Sequence, residues 1–274
     1  MFKIVLSIYR WVFARPQFRK INLALFHMSL RGLGVLNYAS HRVSGESYVI
    51  RKLLPSMLTN NNPVLFDVGA NLGDYSSKLL EVFPHGKIYA FEPHPKNFAR
   101  LKNTMTVDQV HCFNLALGET SGESTLYDRS DREGSCHGTL HESVITEIHG
   151  KEMTSVPVSV ERLDDFCESH NIQCIDFMKI DTEGHERSVL LGAKKRIELG
   201  HIRCIQFEFN AMNVHSKVFL RDFRTILGNY DLYRLLPNGL LPLSDYAIIT
   251  ELFGYQNILA ILRMDSRGVV SERI

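Results

Sequence analysis

Short apolar runs alternate with amphipathic stretches along most of this chain, and the two periodicities predict strands and helices in turn. Val64, Leu65 and Phe66 form a run ending at Asp67. After a turn bracketed by Gly69 and Gly73, a helix is predicted from about Asp74 to Phe83. A second strand, Ile88 to Phe91, closes on Glu92. Pro95 to Met105 then reads as a helix and Val110 to Leu115 as a third strand. Polar turn residues break the order from Gly118 to Val160, where the alternating VPVSV at 156 to 160 reads as a β extension. The order resumes with a helix at Leu163 to His170, a strand at Ile175 to Ile180, a helix at Glu186 to Leu199 and a strand at Cys204 to Phe209. A helix at Arg221 to Gly228 and strands at Tyr230 to Leu235 and Asn257 to Leu262 complete it. Seven strands in this order imply an α/β fold with a mostly parallel sheet and helices on both faces.

Ligands of such sheets bind at the carboxyl ends of the strands, and polar groups stand at five of those ends. They are Asp67, Glu92, Asn114, the run from Asp181 to Glu186, and Glu208 with Asn210. Glu92 can accept hydrogen bonds from two vicinal ribose hydroxyls, so the first strand-turn-helix-strand unit reads as a nucleoside site. Its loop, DVGANLG, lacks the G-x-G-x-x-G arrangement that cradles a pyrophosphate, and the carboxylate of Asp67 would repel one. S-adenosylmethionine carries an ammonium and a sulfonium and no phosphate, which suits that charge. The plainer alternative is that Asp67 orders the turn and Glu92 caps the next element.

Charge divides the chain. Residues 1 to 52 hold nine Lys or Arg against one acid, Glu46, although the whole 274-residue chain is only +1. Residues 1 to 43 form an apolar, basic extension, and 44 to 274 form one domain with an insertion at about 118 to 160. In the extension, Phe2 to Phe13 is apolar with Lys3 and Arg10 interspersed, and Pro16 breaks it. It suits either a helix covering the core or a dimer partner, or an interfacial helix against anionic lipid or a membrane-bound enzyme. Five cysteines without a C-x-x-C pair fit free thiols in a reducing compartment, so a cytoplasmic location is expected, with peripheral membrane attachment left open. No run reaches the roughly eighteen apolar residues of a membrane span.

Five motifs now combine: DVGANLG, AFEPHP, NLALG, V-x-V-E-R-L-D-D-F and MKIDTEGHE. Together they resemble the FkbM family of S-adenosylmethionine-dependent methyltransferases, over about residues 44 to 263. The resemblance implies the class I methyltransferase Rossmann-like fold, seven strands with the last antiparallel, and methyl transfer to a hydroxyl of a glycan or a small metabolite. Arg162 departs from the small polar residue that many relatives carry before the Leu-Asp pair. On this resemblance Asp67, Gly69, Asn71 and Gly73 hold the methionine moiety of the cofactor, Glu92 takes its ribose, and Asn114, with Ala116 beside it, borders its adenine. Asp181 faces the sulfonium side.

An alcohol becomes a good nucleophile only as its proton leaves, so a general base is expected near the acceptor. Asp181, Glu183 and His185 are the candidates, and imidazole has the best ordinary pKa for the task. Glu183 equally suits the start of the next helix, and His185 its cap. A divalent cation on Asp181, Glu183 and Glu208 is the alternative, without diagnostic spacing and not favoured. The segment 127 to 150 is assigned to acceptor specificity, with Gly134 and Gly138 as lid hinges, against a solvated loop. His137, His141 and His149 show no metal-ligand spacing. A nicotinamide oxidoreductase is disfavoured by Asp67 and the missing glycine fingerprint, and a non-catalytic adapter by the intact strand-end acids. A nucleic-acid partner is disfavoured because no basic stripe flanks the cleft motifs. A homo-oligomer is left open.

Overall fold

The computed structural model describes residues 2–129, 138–140 and 153–264. The strands are β1 (Val64–Val68), β2 (Lys87–Phe91), β3 (Val110–Phe113), β4 (Ala116–Leu117), β5 (Gly122–Arg129), β6 (Met153–Glu161), β7 (Phe177–Ile180), β8 (Cys204–Phe209), β9 (Tyr230–Leu236), β10 (Gly239–Pro242) and β11 (Gln256–Leu262). The main sheet has the order β10-β9-β11-β8-β7-β1-β2-β3. Strands β8, β7, β1, β2 and β3 are parallel to one another, and β11 runs antiparallel between β8 and β9. All seven expected strands are therefore present. The eighth, β10, folds back on β9 through a turn at Pro237 and Asn238, followed by Gly239. The Asn-Gly pair there was a hairpin signal.

From β1 the chain steps outward to β2 and β3, then returns and steps the other way through β7 and β8. The reversal falls between β1 and β7, whose carboxyl ends splay loops to opposite sides and leave a crevice. Alternation fixes the two cores. Leu65 packs on one face of the sheet with Tyr75, Leu79, Ile88 and Phe177. Phe66 packs on the other with Phe91, Phe166, Phe207 and Phe223. Both faces are buried, which explains why these strands read as continuous apolar runs.

The helices fall close to expectation: Asp74–Val82, Pro95–Thr104, Leu163–Ser169 and Leu220–Ile226. The expected helix from Glu186 to Leu199 is instead two, Glu186–Gly192 and Lys194–Glu198. Asp164 stabilises the break by accepting from the backbone N–H groups of Lys195 (3.0 Å) and Arg196 (3.2 Å). A helical stretch at 46–57, with a π turn at Val49–Leu53, buries Val49, Ile50 and Leu54. Its periodicity was overlooked beside the charge count.

The stretch 118–160 contributes a second sheet, β4-β6-β5, with β5 and β6 antiparallel from Gly122↔Val160 to Arg129↔Met153. Most of the segment read as a specificity lid, including Gly134, His137, His141 and His149, lies outside the described residues. The helices Phe2–Phe13 and Arg19–Gly32 bury, between them, only Leu30. The first helix therefore covers no part of this chain's core. Among the described residues, no helix is long and apolar enough to cross a membrane. Cys112, Cys167, Cys174 and Cys204 are free.

Candidate functional site

A cavity opens at the carboxyl ends of β1, β2 and β7, bounded on its far side by β5 and residues 138–140. Counted out to open solvent at its mouth, it encloses about 610 Å³. Its wall begins at Gly69. The N–H groups of Gly69 and Ala70 both donate to the carbonyl of Phe91 at 3.0 and 2.9 Å, which stitches the β1 turn to the end of β2. Gly69 has φ +83°, and a Cβ there would sit 1.8 Å from the carbonyl oxygen of Asp181. Only glycine lets the β1 loop pass β7 so closely.

Glu92 lies beside this turn and is buried. Its Oε2 accepts from the N–H of Asn71 and its Oε1 from the N–H of His94, both at 2.9 Å. Each oxygen retains a lone pair, so the carboxylate can accept two further O–H groups side by side. Burial pushes its pKa up to about 7; the two backbone N–H groups oppose that shift, and Asp67 and Asp128 add to it. Asn71, at φ +48°, presents a buried Oδ1 with no partner in the protein. His94 Nδ1 accepts from the N–H of Lys96 at 3.2 Å, and its Nε2 lies 3.8 Å from Asp128 of β5.

Asp181 caps β7 and lines the cavity with Thr182, Glu183 and His185. Its Oδ2 accepts from the ammonium of Lys179 at 3.0 Å. Lys179 is buried and lies 4.8 Å over the ring of Tyr75. Burial alone would lower its pKa, but Asp181, Asp67 and Glu46 hold it above its ordinary value. The loop after Asp181 is pinned by Glu186, whose Oε1 accepts from Thr182 N (3.0 Å), Thr182 Oγ1 (3.1 Å) and Gly184 N (3.1 Å). Burial pushes the Glu186 carboxyl up to about 7 despite these donors. Glu183 adopts φ +53°, and its carbonyl accepts from Thr139 Oγ1 at 2.8 Å, tying the loop to the second sheet.

The structure brings Gly69, Asn71, Glu92, Asp181, Glu183 and His185 to one cavity. It places three others outside the cavity lining. Asp67 is fully buried beneath the turn, with Oδ2 accepting from Ser76 Oγ at 2.7 Å. A Cβ at Gly73 would lie 2.6 Å from the Met105 side chain, so that glycine serves packing of the helix Pro95–Thr104. Asn114 donates through Nδ2 to the carbonyls of Glu92 (2.9 Å) and Pro93 (2.8 Å). The cavity is lined there by Leu115, Ala116 and Leu117.

Sequence reasoning missed His94, Asn97 and Leu126 as lining residues, and Lys179 as the counter-charge. A lysine inside the apolar run FMKI was the available signal for the last. Glu208 stands on the neighbouring strand, and Asn210 donates to it. Burial raises its pKa well above the ordinary carboxylate value, with Asp181 and Glu183 adding. Among the described residues, no cluster of three or more His, Cys, Asp or Glu side chains is placed to hold a metal ion.

The donor set fits a nucleoside bearing positive charge. The described lining offers Glu92, Asn71 Oδ1, Asp181 and Glu183 as acceptors, and contains no Lys or Arg to meet a phosphate. Apolar side chains from Leu115 to Leu117, with Leu126, suit a base. This cleft, at the reversal of a sheet whose antiparallel strand lies beside β8, defines a class I S-adenosylmethionine-dependent methyltransferase fold. The family profile described as "Methyltransferase FkbM domain" matches residues 67–234, and the chain belongs to the FkbM family of S-adenosylmethionine-dependent methyltransferases.

Similar proteins include the 2-O-methyltransferase NoeI of Sinorhizobium fredii, 27% identical over 206 residues that cover 71% of this chain and 83% of that protein. The hexuronic acid methyltransferase AglP of Haloferax volcanii is 25% identical over 186 residues, covering 67% of this chain and 68% of that one. Among solved structures, the methyltransferase FkbM from Methylobacillus flagellatus KT has a TM-score of 0.48 and 14% identity, covering 80% of this chain and 49% of that one.

Two predictions follow from the packing and charge of this site. Gly69→Ala should leave a folded but less stable protein whose affinity for S-adenosylhomocysteine, measured by equilibrium dialysis, falls by roughly a hundredfold, because the Cβ forces the β1 and β7 loops apart. Unchanged affinity would show that this close approach does not shape the cavity. The second concerns pH. Burial raises the carboxyl pKa of Asp67, Glu92, Glu186 and Glu208 above the unfolded values. The unfolded chain ionises these groups first. Their stabilising contribution is complete below the ordinary carboxylate range and is lost as pH rises through about 7 for Glu92 and Glu186. Glu46, whose pKa is lowered, acts in the opposite sense but at acid pH. The Tm of the ligand-free protein should therefore fall as pH is raised through about 7, as scanning calorimetry would record. A Tm that climbs across that interval would contradict the charge account.

Proposed function

We propose that this methyltransferase acts on oxygen, transferring the methyl group of S-adenosylmethionine to a hydroxyl of a glycan or a similar polyhydroxylated metabolite. The observation carrying this reading is the cavity itself: an acceptor-rich pocket at the strand ends whose described lining holds no Lys or Arg, with Glu183 and His185 on the side bounded by the second sheet. NoeI, a 2-O-methyltransferase, and AglP, a hexuronic acid methyltransferase, point the same way.

In this reading Gly69 and Asn71 face the methionine end of the cofactor and Glu92 accepts both ribose hydroxyls. Leu115, Ala116 and Leu117 border the base in place of Asn114, which clamps the Glu92 loop from behind. Asp67 and Gly73 act one layer further out, by shaping the turn. When bound, the cofactor supplies an electrophilic methyl carbon and a neutral thioether leaving group.

Asp181, fixed by its ion pair with Lys179, positions the positive end of the donor and the acceptor. His185 takes the proton of the acceptor hydroxyl as its oxygen attacks, and Glu183 orients that hydroxyl. The bound donor would supply its methyl group to that oxygen and keep the bonding pair on sulfur, while the imidazole would keep the proton. Much of the acceleration is positioning.

The test is transfer of a labelled methyl group to hexuronic acid glycosides and neutral glycosides, with mass spectrometry locating the added methyl. His185→Gln should lower kcat by roughly a hundredfold or more while leaving S-adenosylhomocysteine affinity intact. Asp181→Asn should lower both. Methylation on nitrogen or carbon, or full turnover in His185→Gln, would remove the respective part of the proposal.

A further inference from the structure

The two N-terminal helices take no part in the cavity lining and carry many of the large apolar side chains that are exposed among the described residues. In Phe2–Phe13, the side chains of Lys3, Ser7 and Arg10 recur at helical spacing along one narrow polar face. The rest of the circumference is apolar and open, with Phe2 at 73%, Ile4 at 65% and Trp11 at 76% exposure. A 3₁₀ turn at Pro16–Phe18 reverses the chain into Arg19–Gly32, which exposes Ile21, Phe26 and Met28. The pair is a built unit: Tyr9 donates to Asn22 Oδ1 at 2.5 Å, Asn22 donates to the carbonyl of Phe13 at 2.9 Å, and the rings of Phe13 and Phe18 lie 5.0 Å apart.

Charge identifies what meets this surface. Residues 1–45 contain seven Lys or Arg and no Asp or Glu, whereas the remainder holds 24 bases against 30 acids. A second copy seated face to face would bring like charge against like charge. Exposed apolar side chains flanked by cations, with an aromatic residue at the rim, match the acyl and headgroup layers of an anionic bilayer.

The root of the unit sets its orientation. Arg234 donates to the carbonyl of Leu33 at 3.2 Å, and the N–H of Leu36 to the carbonyl of Tyr255 at 2.7 Å. Those partners lie at the end of β9 and just before β11, where Gln256 is paired with Phe209 at the end of β8. This is the same end of the sheet as the cavity. The loop entering β11 adds Ile248 and Ile249, exposed by 85% and 80%.

We infer that residues 2–32 dock on an anionic phospholipid surface, with the cavity end of the sheet and the Ile248–Ile249 loop facing the bilayer. The inference stands apart from the hydroxyl-transfer reading. If both hold, the cavity is brought to acceptors carried on lipid.

Trp11 is the chain's single tryptophan, so its emission reports docking directly. The full chain is mixed with phosphatidylcholine vesicles and, separately, with vesicles doped with phosphatidylglycerol, and co-sedimentation is measured alongside emission. A blue shift with co-sedimentation on the doped vesicles only is expected. Ile4→Glu with Ile8→Glu should weaken it roughly tenfold or more, and Ile248→Glu with Ile249→Glu should weaken it too. Both variants should keep ordinary S-adenosylhomocysteine binding, and that titration separates failure here from failure of the methyl-transfer reading. No shift on either vesicle, equal binding to pure phosphatidylcholine, or a lipid-free dimer with Trp11 already shielded would overturn docking. Wild-type binding by the Ile248 and Ile249 variant would overturn the orientation.

Discussion

The close passage of Gly69 against the carbonyl of Asp181 is the constraint on which the site depends. It joins the loops of β1 and β7 at the one place where the sheet changes direction, and no side chain larger than hydrogen fits between them. From that contact the rest is placed in sequence. The β1 turn is tied by two N–H groups to the end of β2, which delivers Glu92 beside Asn71. The β7 loop is tied by Glu186 and Thr139, which deliver Asp181, Glu183 and His185 to the opposite wall. A methyl-transfer site needs its donor fixed relative to its acceptor, and two loops locked at a glycine contact supply that rigidity.

The electrostatics form a second layer. Lys179 is the buried counter-charge for Asp181, with Asp67 and Glu46 close enough to raise its pKa further. Tyr75 covers the ammonium and donates to Gln206, whose amide continues to Asn257 at 3.2 Å. Every member but the cavity-facing carboxylate of Asp181 is buried or nearly so. Such a network is costly unless satisfied, and it is worth that cost where a carboxylate must be held in one place beside a cationic ligand. Carboxyls elsewhere in the site with raised pKa are the complementary case, destabilising the empty protein at neutral pH to keep an acceptor-rich cavity.

Much of this was legible in the sequence, for identifiable reasons. Apolar runs such as Val64–Phe66 and Ile88–Phe91 are buried on both faces, so their pattern and the strand order survived intact in the structure. Glycine spacing and strand-end acids found the cleft. Side-chain direction was not legible: Asp67 and Asp181 both end central strands, yet one points beneath the turn and the other into the cavity. Asn114 likewise looked like a wall residue and proved to be a clamp on two carbonyls. Lys179 escaped notice because a charge inside an apolar run carries meaning only once its partners are located in space. The break at Ala193 and the hairpin strand β10 depended on a tertiary cap from Asp164 and on a turn, neither of which alters hydrophobic periodicity.

The central claim is that one acidic cavity at the ends of β1, β2 and β7, with no Lys or Arg in its described lining, holds a positively charged nucleoside donor without phosphate. Calorimetric titration of the full chain with S-adenosylhomocysteine and, separately, with NAD tests it most directly. Saturable one-to-one binding of S-adenosylhomocysteine, lost in Glu92→Ala, with no heat from NAD, is the predicted result. Binding of NAD with silence toward S-adenosylhomocysteine would contradict it.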